Sequence, residues 1–479
     1  MNAAHLPALW PLLALAAGAL ALLIQTMIRR HGPTAFGLAL LSVAGALAGL
    51  LAAGGRPQAA PPLLVLDGLA TFVLGLLLLA ALAVLALANA YLARSGEQRE
   101  EFFLLLLLAT LGAGALTMSA HLASLFLGLE LLSIALYTLI AYLPRRGAGI
   151  EAGTKYLVLT AASTAALLFG MALVYYRLGT LELARLANLL GSTGYDPVLV
   201  AGLGLAVVGF GFKLALVPFH LWVGDVYQGA PAPVTAFVAT VSKGAVAAVL
   251  LRFFLQLGLV AHPWWALVFG LLAAGSMITG NLLALLQDNL KRLLAYSSIA
   301  HLGYLLVAAL AGGPAAAEAV VFYLVAYFVT MLGAFGVIAS LSHQGEELES
   351  IAHYRGLGRR RPWLAAVLAA MLLSLAGIPL TAGFASKVLV LAAGVGAGLW
   401  LLVMLLVVTS LIGLYAYLRV IVAMTMQQRT MDDLPAAAGG PVGLASGLCL
   451  GLLLGVLLWL GIQPAAVLDW VRQATAGLL

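Results

Sequence analysis

Five ionisable side chains lie inside apolar runs where charge is costly: Glu130, Lys213, Lys243, His301 and Lys387. An ion at the centre of a bilayer costs at least about 2.5–3.5 kcal/mol, even on the lenient insertion scale. Five such groups at similar depth on five helices point to use, and the use that suits lysine is proton handling. Desolvation favours the neutral amine, and a nearby carboxylate favours the ammonium. If Glu130 stood about 5 Å from Lys213 at an effective dielectric near 20, their attraction would be on the order of 3 kcal/mol. Separating the two would then push the lysine to release its proton.

The competing reading is structural glue. Glu130 can neutralise one lysine, but no second acid sits at mid-depth, because Asp67 and Asp225 fall at predicted helix ends where they would cap or meet water. With more lysines than partners, some must be neutral part of the time. His301 has hydroxyl neighbours in Tyr296, Ser297, Ser298 and Tyr304, so either relay or packing fits it. His220 lies near one membrane face and could line an access route. Arg252 and Arg419 stand near helix ends, where long side chains can snorkel to water.

The elements that hold these groups follow from composition. Of 479 residues, 64% are hydrophobic and only 8% charged, whereas a soluble chain carries about a quarter charged residues. Cutting the apolar runs into lengths of about 20 residues predicts an all-α, polytopic membrane protein of about fourteen transmembrane helices, from 7–28 to 441–463. The seventh span, 198–223, holds Lys213 and then Pro218. The twelfth, 364–394, is too long for one straight helix and carries Gly377–Ile378–Pro379 before Lys387. Proline removes a backbone donor and glycine loosens the helix, so helices 7 and 12 are predicted to be broken. Broken helices in corresponding halves suggest inverted repeats of five helices. This divides the chain into an N-terminal three-helix segment (1–100), a first repeat (101–260), a second repeat (261–430) and a C-terminal helix and tail (431–479). The sequence itself offers no residue-level match between the halves.

Lys and Arg crowd the odd-numbered connections, among them Arg29, Arg30, Arg145, Arg146, Arg359, Arg360, Arg361 and Arg429; the even ones and the C-terminal tail hold Arg56, Arg177, Arg185 and Arg472. The positive-inside rule makes the odd loops cytoplasmic and both termini periplasmic. The longest cytoplasmic connection, His343 to Arg361, mixes Glu346, Glu347 and Glu349 with arginines and reads as a solvated surface element.

Other classes find no support. The net charge of +6 is scattered and forms no basic face for nucleic acid. One cysteine, Cys449, permits neither an internal disulfide nor iron–sulfur ligation. Gly202-x-Gly204 and Gly209-x-Gly211 follow no strand and read as close helix packing. No zinc spacing or P-loop appears, so redox chemistry or ATP hydrolysis by this chain alone is not expected.

The segment Phe212 to Lys243, FKLALVPFHLWVGDVYQGAPAPVTAFVATVSK, resembles the proton-translocating, antiporter-like subunits of NADH-quinone oxidoreductase, respiratory complex I. The run from Asp225 to Pro233 is similar to the subunit N branch. LGLELLSIALY around Glu130, NLKRLLAYSSIAHLGY from Asn289 and GIPLTAGFASK before Lys387 agree in order, and the likeness covers nearly the whole chain. Lysine at 387, where the M branch usually has glutamate, also fits N, as does the absence of the long lateral helix of the L branch. The resemblance implies that Glu130 and Lys213 are a coupled pair, Lys243 a central relay and Lys387 a terminal site. It further implies a bacterial inner-membrane location, a sister antiporter-like subunit and other complex I membrane subunits as partners, and no cofactor in this chain. FMN, iron–sulfur clusters and the quinone site would belong to partner subunits. A subunit of a multisubunit sodium-type cation/proton antiporter shares the expected fold, and a non-conducting scaffold is the third alternative.

Overall fold

In lipid a backbone must satisfy its own polar groups, which leaves the helix as the default for an apolar chain. The computed structural model describes residues 6–53, 58–60, 62–96, 98–143, 147–193, 196–259, 262–342, 346–426 and 442–476. Arg56, Arg145, Arg146, Arg429 and His343 lie outside the described residues. The chain opens with α1 (Leu6–Ile28), α2 (Gly32–Ala52) and α3 (Gly68–Ser95). The first half continues with α4 (Glu100–Thr117), α5 (Leu122–Ile140), α6 (Gly147–Leu178), a short α7 (Leu183–Thr193), α8 (Pro197–Leu214), α9 (Val223–Gly229), α10 (Ala232–Phe237) and α11 (Lys243–Gln256). The second holds α12 (Pro263–Leu285), α13 (Leu290–Ala311), α14 (Gly313–Leu341), α15 (Leu357–Arg360), α16 (Pro362–Ala376), α17 (Ala382–Gly396) and α18 (Trp400–Thr425). Then follow α19 (Leu444–Ile462) and α20 (Ala465–Thr475).

Among the described residues, thirteen helices are long and apolar enough to cross a membrane, with α10 and α11 counted as one. The helices α16 and α17 have 15 residues each, about 22 Å at the helical rise, so neither crosses a 30 Å core alone. End to end they make the twelfth span, and the total is fourteen. A small antiparallel hairpin, β1 (Gln58–Ala60) with β2 (Leu64–Leu66), lies in the connection before α3. No strand was expected; this one sits where no apolar run spans.

The two halves match in their backbone bonds. The Leu122 N–H donates to Leu181 O and the Leu290 N–H to Glu349 O, both at 2.8 Å. His121 caps α5 and pairs with Glu182; Asn289 caps α13 and pairs with Ser350. A Cβ on Gly112 would strike Gly128 and Leu132 of α5, and one on Gly280 would strike Tyr296 and Ala300 of α13. In every case the second residue stands the same distance further along the chain. The breaks match too. Ala215 (φ 61°) and Gly377 (φ 83°) end α8 and α16 in left-handed caps. The residue after each then reaches back, Leu216 to Gly211 O and Ile378 to Leu373 O. An alanine in this conformation costs about 1–2 kcal/mol, a strain tolerated where the chain must stop beside Lys213. Gly202 and Gly209 face α6, as close packing requires, whereas Gly204 faces open space.

Two expectations are corrected. The connection from Glu346 to Arg361 is not simply solvated. Glu347 and Lys291 have fully buried side chains 2.6 Å apart. Glu347 also accepts from the Tyr91 hydroxyl (2.7 Å) and from the Ala232 N–H that opens α10 (2.8 Å). The neighbouring Glu349 accepts from Gln228 and Asn289. Acidic residues there look surface-like in sequence because their partners come from distant helices. Arg252, likewise, does not snorkel: it is buried and donates two bonds to Asp67, at 2.6 and 3.0 Å, while Asp67 caps α3 through the Ala70 N–H. At the opposite ends of the helices, on the side of Lys155, Lys291 and the other odd-numbered connections (the Lys-rich side), Lys155 and Arg292 each meet Asp225 at 2.7 Å. Burial alone would push that carboxyl up, but the two cationic donors outweigh it and hold it below the usual carboxylate range. Its stabilising contribution is present at neutral pH and is lost as pH falls through that depressed value.

Replacing Glu347 by leucine leaves Lys291 buried beside an apolar group, a change that costs about 3–5 kcal/mol in comparable buried pairs. The thermal midpoint of the detergent-solubilised chain should therefore fall much further than for Asp288→Ala, whose carboxylate is exposed. Equal midpoints for the two variants would refute the clamp.

Candidate functional site

The sequence-predicted groups are all inside. Exposure is 3% at Lys213, 1% at Lys243, 7% at Lys387 and 5% at His301, and Glu130 is partly buried. None of the three lysines makes an ion pair among the described residues. Each instead has the same two neighbours. Lys213 Nζ donates to Ser133 Oγ at 2.6 Å and stands 5.3 Å from the Tyr156 ring centre. Lys243 Nζ donates to Ser298 Oγ at 2.7 Å and stands 5.3 Å from the ring of Tyr227. Lys387 Nζ donates to Ser410 Oγ at 2.6 Å and stands 5.4 Å from the ring of Tyr304.

This housing tolerates both protonation states. A serine hydroxyl accepts from an ammonium and donates to a neutral amine by rotating one proton. The tyrosine face attracts the cation without removing its proton. An amine held this way can gain or lose a proton with no heavy-atom repacking.

Local structure explains how each lysine gets there. Lys213 occupies the last turn of α8, just before the Ala215 cap. Trp222 Nε1 donates to the Phe212 carbonyl (2.9 Å), which also accepts from the Ala215 N–H of the cap (2.9 Å). Lys243 follows a π-helical turn, Val238–Ser242, and such turns rotate the side chains beyond them relative to an unbroken helix. Lys387 reaches from α17 back to the end of α16, where Leu375 O and Ala376 O each accept at 2.9 Å. These carbonyls are the unpaired end of a half-helix, which carries negative partial charge. A Cβ on Gly377 would lie 2.8 Å from Lys387 Cδ, so glycine is needed there for both room and conformation.

Two helices organise the groups. On α5, Glu130 accepts from Thr164 Oγ1 (2.9 Å) and stands one turn before Ser133, the serine that receives Lys213. Glu130 and Lys213 form no ion pair with each other among the described residues. On α13, Ser298, His301 and Tyr304 share a face by their three-residue spacing. They lie along the helix that receives Lys243 at Ser298 and sets the Tyr304 ring beside Lys387, with no unbroken hydrogen-bonded chain between the two amines among the described residues. His301 Nδ1 meets Tyr323 Oη at 2.6 Å, and its Nε2 faces Tyr417 Oη at 3.5 Å. Tyr417 bonds Ser297, and Asn281 donates to Tyr304 Oη at 2.8 Å. By the matched glycine crossings, Ser298 stands where the first half has Glu130, and His301 where it has Ser133. The buried Tyr156 ring accompanies Lys213 and the buried Tyr227 ring accompanies Lys243; among the described residues no hydrogen bond joins the two lysines. His220 sits apart, in the partly exposed segment after the seventh-span break.

The serines and tyrosines were not singled out from sequence, apart from the hydroxyls around His301. The spacing of Ser133 from Glu130 was the one available signal.

Residues 119–413 match the family model described as NADH:quinone oxidoreductase/Mrp antiporter, transmembrane. NADH-quinone oxidoreductase subunit N of Chromohalobacter salexigens is 47% identical, over 98% of this chain and 99% of the relative. A chain of respiratory complex I from Thermus thermophilus superposes with a TM-score of 0.83 at 37% identity, covering 96% of this chain and 98% of that one. A chain of the Mrp complex from Dietzia sp. gives 0.88 at 22% identity over 100% and 98%, a likeness of fold. The chain is thus a multi-pass membrane protein that belongs to the subunit N family of NADH-quinone oxidoreductases.

Proposed function

We propose that this chain is a non-redox, proton-translocating subunit of NADH-quinone oxidoreductase, moving protons along the buried row from Glu130 to Lys387. The observation that carries this reading is the repeated housing of three lysines, each between a serine hydroxyl and a tyrosine face, in a chain whose solvent is lipid. Glu130 and Lys213 act as the switch. When Glu130 is near, the ammonium at Lys213 is favoured; when it withdraws, the proton leaves toward Lys243. Lys243 passes it along the α13 face through His301, and Lys387 holds or releases it at the broken twelfth span. Residues 101–260 and 261–430 serve as the two halves of this path, flanked by 1–100 and 431–479.

Hydride and electron chemistry belongs to partner subunits that carry FMN, iron–sulfur clusters and the quinone site. A sister antiporter-like subunit would adjoin this one in the bacterial inner membrane, with both termini periplasmic, consistent with the arginine bias of the odd loops.

In the assembled complex, Lys213→Ala should cut NADH-driven proton uptake into vesicles by about a hundredfold, the lower end of what a positioned proton-transfer group contributes. Quinone reduction by uncoupled membranes should fall less. Undiminished pumping would favour the scaffold reading, and pumping that requires sodium would favour the antiporter reading.

The serines separate by what else their lysine holds. Ser298→Ala removes the one hydrogen-bond partner that Lys243 has among the described residues and should slow pumping about tenfold, as a net cost near 1.4 kcal/mol implies. Ser410→Ala leaves Lys387 its two carbonyls and should slow it only two- or threefold, a cost below about 1 kcal/mol. The reverse order would contradict the assigned housing.

A further inference from the structure

Away from the row of amines, the Lys-rich face carries a cleft of about 670 Å³. It is enclosed by the Leu286–Asn289 connection, the turn at Ile351–Tyr354 and the last turns of α18. Two arginines line it. Arg355 is exposed and makes no ion pair among the described residues. Arg419 donates to Gln287 O and has Asp288 at 3.5 Å, while its buried Nε has no partner. Below them α18 presents Tyr415, Leu418 and Val422, with Met426 just past its end, all exposed apolar or amphipathic side chains.

We propose that this cleft binds one anionic phospholipid whose headgroup carries hydroxyls, of the phosphatidylglycerol class. The phosphate accepts from Arg355 and Arg419, in the bidentate geometry that guanidinium favours. The acyl chains run down the exposed face of α18. Asp288 decides the headgroup: its exposed carboxylate would repel a bare second phosphate but accepts readily from a glycerol hydroxyl. A basic cleft between helices at the cytoplasmic level is the setting in which anionic headgroups bind. The site does not depend on the proton path.

The place of the cleft gives the lipid a structural consequence. Ile351 N–H donates to Asp288 O at 2.8 Å, and the next residue, Asn289, caps α13. A bound headgroup therefore braces the start of the helix that carries Ser298, His301 and Tyr304.

The full chain, stripped of lipid in detergent and reloaded, can be weighed intact by native mass spectrometry. Wild type should retain one dioleoyl-phosphatidylglycerol with about tenfold preference over dioleoyl-phosphatidylcholine, the size of one or two charge-assisted hydrogen bonds. Arg355→Gln with Arg419→Gln should abolish the preference, and the double lysine variant, which keeps the charge, should retain most of it. Photoactivatable phosphatidylglycerol on wild-type protein should label 350–355 or 415–426. Equal retention of the two lipids, an unchanged preference in the glutamine variant, or labelling only elsewhere would overturn the proposal. So would displacement by glycerol 3-phosphate at concentrations matching the lipid, since that marks a soluble-phosphate site.

Discussion

A lysine amine in the middle of a bilayer is stable only if something else supplies what water would have given it. Everything specific about this chain follows from meeting that need three times without using up the charge. A carboxylate at each lysine would fix the proton in place. A serine oxygen with a tyrosine face solvates the amine yet lets the proton leave, because neither neighbour must move its heavy atoms. The breaks in the seventh and twelfth spans serve the same end by different routes. In the twelfth, carbonyls freed by the cap bind Lys387; in the seventh, the Ala215 N–H and Trp222 share the Phe212 carbonyl, and Lys213 bonds its serine.

The duplication shows which features the task requires and which are free to vary. The capped breaks, the glycine crossings between paired helices and the loop bonds to the start of α5 and α13 occur in both halves. What differs is chemistry at equivalent places: Glu130 and Ser133 on α5 become Ser298 and His301 on α13. One half therefore carries the acid able to bias a lysine, and the other carries the neutral groups able to pass a proton along. That asymmetry suits a path with a trigger at one end. On the Lys-rich side the buried Lys291–Glu347 pair and the Asp225 cluster lock the starts of α10 and α13 together, so the groups inside keep their spacing.

Much of this was legible in the sequence because charge inside an apolar run is conspicuous. Glu130, the three intramembrane lysines and His301 were found that way, and the proline and glycine punctuation located both breaks. The serines and tyrosines beside the amines were not, since such residues are ordinary in apolar helices and only proximity gives them a role. The match between halves stayed hidden because it is written in backbone bonds and in glycines, not in side chains that align. Arg252 and Glu347 read as water-facing in sequence for a related reason. Each looked solvated beside its sequence neighbours, while its partner, Asp67 or Lys291, lies far along the chain and close in space.

The central claim is that these amines change protonation during turnover while staying in place. Infrared difference spectra of the assembled complex, with lysine side chains labelled with nitrogen-15, would test it directly. The account predicts ammonium bands that shift with the label and appear or vanish when NADH is added, and that weaken in Lys213→Ala and Lys243→Met variants. Spectra with no label-sensitive change during active pumping would contradict it.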